Sequence, residues 1–62
     1  MKKRIIMAQV RYMDGSRSEN YLFSAIREAQ YFGAQISRAE FVEAVIIKMP
    51  YSVLFYMDGR LQ

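Results

Sequence analysis

The chain has no cysteine and no histidine. Without cysteine it can form no disulfide and offers no thiolate to a metal. Without histidine it lacks the commonest metal ligand and the commonest general base. Proline occurs once and glycine three times, scattered, so no glycine-rich loop exists to cradle a phosphate. No apolar run approaches the roughly 20 residues that cross a bilayer as a helix. The charged opening Met1-Lys2-Lys3-Arg4 resembles the start of a leader peptide. The apolar stretch after it breaks at Gln9 and Arg11, however, and no small-residue cleavage site follows, so no cleaved leader is expected. The missing cysteine fits a reducing, cytoplasmic setting.

What is present is apolar. Of 62 residues, 53% are hydrophobic, which excludes an intrinsically disordered chain. The length allows one domain, 1–62. A domain of this size buries only about 60% of its unfolded surface, and such a core supplies about 3–5 kcal/mol. With disulfides and the usual metal ligands missing, association is the remaining stabilising device. The net charge of +3 favours an acidic partner, either a protein face or nucleic acid.

One short helix organises the reading. Ser24 is an expected N-cap, and Ala25, Ile26, Ala29 and Phe32 recur at helical spacing. Gly33 is expected to end the helix, and Ala34 to Ala39 to connect it onward. Before it, a strand from Lys3 to Met13 is expected, with Ile6, Ala8, Val10 and Tyr12 on one face and Ile5, Met7, Gln9, Arg11 and Met13 on the other. Asp14-Gly15 signals a reversal, and a second strand returns over Arg17 to Phe23. A competing helix from a Ser18 cap keeps apolar spacing through Leu22, Ile26 and Ala29. The turn signal and the run Tyr21-Leu22-Phe23 favour the hairpin. Beyond the helix, Val45-Ile46-Ile47 marks a central strand over Phe41 to Met49. Pro50 ends it, and a fourth strand runs over Val53 to Met57. Asp58-Gly59 repeats the turn signal, leaving Arg60 to Gln62 as a stub. The repeated Tyr-Met-Asp-Gly at 12–15 and 56–59 reads as shared turn chemistry, not duplication. The expected fold is α+β, an antiparallel four-stranded sheet with one helix on one face, in the order β-β-α-β-β.

No catalytic constellation emerges. The serines fall in turns and at a cap, Glu40 and Glu43 read as a solvated edge, and Asp14 and Asp58 belong to turns. No enzyme activity, cofactor or metal is expected. The basic residues include the run Lys2-Lys3-Arg4 and the dispersed Arg11, Arg17, Arg27, Arg38, Lys48 and Arg60. Tyrosines beside arginines could stack on bases, although the aromatic signature of ribonucleoprotein sheets is absent. The geometric expectation is stronger. A three-turn helix is about 15 Å long and covers only the middle of one sheet face. The far face would then show Ile5, Met7 and Met13, with Ile46, Leu54 and Tyr56, and an exposed apolar face marks an interface. Arg11, Arg17, Lys48 and Arg60 are the candidate polar contacts, with Tyr12, Tyr51 and Tyr56 as anchors.

The hairpin VRYMDGSRSENYLF, the helix SAIREAQYFG and the strand FVEAVIIKM together resemble, in layout alone, the compact inhibitors of phages and mobile elements. These are the anti-CRISPR proteins and the RNA polymerase inhibitor of T7-like phages. The resemblance implies a non-catalytic inhibitor that occludes a surface of a larger protein or nucleoprotein complex, and it carries over no residues. The alternatives are a small basic nucleic-acid-binding module and a structural homodimer subunit. No membrane partner is expected.

Overall fold

A computed structural model describes residues 5–62. The run Lys2-Lys3-Arg4 and the expected Lys3 start of the first strand lie outside the described residues. Alternation carries β1, Ile6–Tyr12, with Ile6, Ala8 and Val10 buried on one face as expected. The reversal after it is built by Asp14 and Gly15. Asp14 Oδ1 accepts from the Ser16 N–H at 2.8 Å and from the Ser16 hydroxyl at 2.6 Å, and Gly15 takes φ +90°. Tyr12 N–H then donates to the Ser16 carbonyl at 2.9 Å, closing the hairpin.

The return is a strand and not a helix. Arg17 bridges Arg11, and β2 is Tyr21–Phe23, paired with Ile6–Ala8. Ser18 fastens the return to β1: its N–H donates to the Val10 carbonyl and its Oγ accepts from the Val10 N–H, both at 2.9 Å. It therefore caps nothing. The continuous strand expected over 17–23 is interrupted because Arg11 faces Arg17 while Ala8 faces Tyr21. The return thus holds one residue more than β1 does between the two pairings, and it bulges there.

The helix α1 is Ile26–Ile36, one residue later in its cap and four residues past the expected end at about Phe32. Its N-cap is Ala25, with no side-chain bond, so the expected Ser24 cap is not formed. Glu28 instead lies in the first turn, where a carboxylate complements the helix dipole. Gly33 does not end the helix. It is buried within it, facing the Tyr56 ring, where any Cβ would lie 2.8 Å from Tyr56 Cδ1. Glycine serves there for close approach, a signal that reads the same in sequence as a helix stop. The residues 34–36, expected in a connection, are the last turn. Ser37 terminates it, buried, with its Oγ accepting from the Gly59 N–H at 2.8 Å.

After α1 come β3, Val42–Lys48, β4, Val53–Met57, and β5, Arg60–Leu61. The expected stub is therefore a fifth strand. Asp58 and Gly59 both take positive φ, 54° and 79°, which is the tight two-residue hairpin that Asp-Gly supports. All pairings are antiparallel, and the order across the sheet is β2-β1-β3-β4-β5. β3 is central, as its Val-Ile-Ile run predicts. Its Val45 and Ile47 are fully buried under α1, and each such burial contributes about 1.5–3 kcal/mol. Phe32 of α1 packs on Tyr21 and Phe23 at ring separations of 5.2 and 5.3 Å, closing the β2 side. The molecule is thus two layers, a single helix on a five-stranded sheet among the described residues.

Candidate functional site

Residues paired directly across an antiparallel ladder share a face. The register therefore assigns every strand residue to the helix side or the open side. On the helix side lie Ile6, Ala8, Val10, Val45, Ile47, Leu54 and Tyr56, all part of the packed core. On the open side, one row runs Leu22, Met7, Lys48, Val53 across four strands. The next runs Gln9, Ile46, Phe55. One step past the last β3–β4 pair, Val45 with Tyr56, the same phase sets Ala44 beside Met57, so a third row holds Arg11, Ala44, Met57 and Arg60, with Arg17 bridged outside Arg11.

Nothing in the described chain covers this open side. Ala44 and Ile46 are buried at its centre by their neighbours alone, while Leu22 is 66% exposed and Phe55 41%. Val53 and Met57 are also exposed, as are Ile5 and Met13 at the ends of the first strand. The expected far-face set is thus met for Met7 and Ile46, while Ile5 and Met13 are exposed but lie outside β1, where no pairing assigns them a side. It is corrected for Leu54 and Tyr56, which point at the helix. Strand 4 is one residue out of the expected phase, because the turn Met49 to Ser52 pairs Lys48 with Val53. Val53, Phe55 and Met57 are the residues that sequence reasoning missed. Their signal was the length of that turn, since β4 itself is apolar at every position.

Four of the six described cations stand on the same side, the exceptions being Arg27 on α1 and Arg38 just after it. Arg11, Lys48 and Arg60 lie on it by register, and Arg17 stands opposite Arg11. The strands carry one acid, Glu43, whose Oε1 lies 2.9 Å from Arg11 Nε. Both partners are partly exposed and the approach is not aligned as a hydrogen bond, so this is an ion pair by distance that adds little stability. Among the described residues no carboxylate pairs with Arg17, Lys48 or Arg60. The aromatic candidates separate from them. Tyr56 is 7% exposed beneath Gly33, and Tyr12 packs partly buried against the core on the helix side. Tyr51 is 96% exposed at the Pro50 turn, away from the three rows. The structure therefore brings the four basic candidates to the open face and none of the three tyrosines to it.

A second concavity, about 490 Å³, runs along α1 beside β2 and is lined by Phe23, Tyr31, Phe32 and Ile36. Arg27 and Glu28 on its rim balance each other in sign. Among the described residues no three acidic side chains converge as a metal site would require, and no helix is long and apolar enough to cross a membrane.

Among the described residues, fold and face together define a small one-helix α+β module with an uncovered, apolar and basic sheet face. The chain matches no protein-family model, no curated protein and no solved structure.

Proposed function

We propose that this chain is a non-catalytic binding protein that docks through the open face of its sheet on a larger protein and occludes it. One observation carries the reading: among the described residues, half of a largely apolar sheet is left without cover, and cations without a carboxylate partner stand on that same half. A contiguous apolar surface in water is costly to keep unless a partner removes it. The layout resemblance to phage and mobile-element inhibitors, anti-CRISPR proteins among them, agrees with such a role. It makes the partner a host complex and the action steric.

Nucleic acid is the second reading, favoured by the four cations. Against it, Phe55 is the one aromatic on the three rows, whereas sheets that hold single strands offer several stacking rings. A homodimer through this face would set arginine against arginine, or, with the copies turned end for end, arginine against apolar side chains.

The test compares three immobilised forms in host extract: the wild type, Leu22→Ser/Phe55→Ser on the open face, and Tyr31→Ser on the helix side. Proteins held by the wild type and by Tyr31→Ser, but released by the open-face variant, support the proposal. Equal capture by all three removes it. Capture that vanishes with nuclease treatment and falls steeply with salt replaces it with the nucleic-acid reading.

A further inference from the structure

The cations on the open face are not scattered. Arg17, Arg11 and Arg60 belong to one transverse row, Arg17-Arg11-Ala44-Met57-Arg60, at the end of the sheet that carries the Asp14 and Asp58 turns. Four strand steps of about 4.8 Å separate its ends, so the row spans roughly 19 Å. Within it Ala44 is small and buried, and Met57 is apolar. Beyond it, toward the Pro50 turn, lie the two rows in which Lys48 is the one cation and Leu22, Met7, Ile46, Phe55 and Val53 are apolar. The face is therefore divided: a basic border along one end and an apolar field beside it.

Charge arranged this way selects orientation. Arg11 is already paired by Glu43, which leaves Arg17 and Arg60, at the two ends of the row, to meet charge from outside. Opposite charges across an interface steer encounter and fix register, while the apolar area supplies most of the affinity. Resting on the docking reading above, we infer that the partner is a protein surface bearing an apolar patch bordered along one side by a line of carboxylates, and that the arginine row sets the orientation in which it is bound. Three features favour this occupant over others. The aliphatic and thioether side chains of the field suit a protein surface better than bases. The border is cationic, so its complement is acidic. A second copy would bring arginine against arginine unless turned end for end, and then each row would meet an apolar field.

The test uses probes of defined chemistry on the full chain. Labelled poly(Glu,Tyr), which presents carboxylates beside apolar rings, is compared with poly-glutamate and a short oligothymidylate by fluorescence anisotropy. Far-UV circular dichroism confirms that each variant is folded. The wild type is expected to prefer poly(Glu,Tyr) to both other probes. Arg17→Glu/Arg60→Glu weakens that binding by roughly tenfold or more, whereas Lys48→Glu weakens it by less than about threefold. Equal losses from the row pair and from Lys48→Glu overturn the inference, as does no detectable binding of poly(Glu,Tyr) or tighter binding of the oligothymidylate. Phe55→Ser separates the two levels. If it abolishes binding while the row pair has no effect, the row inference falls and the docking face stands. If Phe55→Ser has no effect while the row pair matters, the docking face itself falls. Sedimentation equilibrium showing a stable dimer that Phe55→Ser dissociates assigns the face to a second copy and overturns the inference.

Discussion

Gly33→Ala is a small change with two opposed effects. In an unconstrained helix interior, alanine is favoured over glycine by about 1 kcal/mol, so propensity alone makes the variant more stable. Packing argues the other way. A Cβ built on Gly33 lies 2.8 Å from Tyr56 Cδ1, 3.1 Å from Tyr56 Cγ and 3.2 Å from Ile47 Cδ1. Carbon atoms rest at about 3.5–4.0 Å, so the ring or the helix must give way by roughly 0.7 Å or more. Neither moves easily. Tyr56 is 7% exposed and paired on both sides by Val45 and Leu61, and Ile47 is fully buried. Overpacking of this kind costs about 1–3 kcal/mol.

The packing cost exceeds the propensity gain, and the expected result is a net loss of about 1 kcal/mol. In a domain of this size that lowers Tm by roughly 4–8 °C. Urea unfolding followed by circular dichroism measures it, with a shift of midpoint at constant slope. The cause is isolated by a double-mutant cycle. In a Tyr56→Leu background the ring is gone, and Gly33→Ala should turn neutral or stabilising, which makes the pair strongly non-additive. A Gly33→Ala variant as stable as the wild type or more so, or an additive cycle, would refute the close-approach explanation for this glycine.

Two further substitutions probe the ends of the hairpins. Ser37→Ala removes the acceptor of the half-buried Gly59 N–H and should cost about 1 kcal/mol, with Gly59 amide exchange accelerating; unchanged exchange would mean that Ser37 does not anchor the β4–β5 hairpin to the helix. At the first hairpin, the Ser16 hydroxyl and then its N–H hold the Asp14 carboxyl below its ordinary value near 3.8. The contribution of that turn is therefore complete above pH 3.8 and lost as pH falls through the lower folded midpoint. Ser16→Ala should move the Asp14 midpoint upward in a carboxyl-carbon NMR titration, and a fixed midpoint would remove the hydroxyl as its cause.

Much of the fold could be read from residues whose local chemistry has one solution. Ile6, Ala8 and Val10 recur at period two, and Gln9 and Arg11 on the intervening positions mark the other face as the wetter one, so the buried face of β1 could be read from the pattern. Val45-Ile46-Ile47 suits a central strand, and both Asp-Gly pairs make the reversals they signal. The misreadings occur where one residue type serves two purposes. Glycine after an apolar helical stripe ends a helix or admits a neighbour, and only the Tyr56 ring decides which. Serine before a helix caps it or precedes it, and here Ile26, packed against the core, is the first helical residue, which puts the cap at Ala25, one residue beyond Ser24. Arg60 and Leu61 are too few to announce a strand, yet the tight turn before them leaves the chain alongside β4.

The composition of the open face depends on a quantity that no strand residue encodes. β4 reads Val-Leu-Phe-Tyr-Met, apolar on both sides, so neither phase is excluded by its own pattern. The phase is set upstream, where Met49 N–H donates to the Ser52 carbonyl at 2.8 Å and fixes a four-residue loop between Lys48 and Val53. In the phase this produces, the tyrosine hydroxyl-bearing ring goes inward against a glycine, and Phe55 goes outward beside Ile46. In the other phase Tyr56 would stand on the open face and Phe55 would have to fill the space that Gly33 leaves. The helix glycine and the loop length are thus matched to each other, and together they decide that the uncovered side carries aliphatic and thioether groups with a single ring. That chemistry, set by two features outside the face, is what favours a protein partner over a nucleic acid.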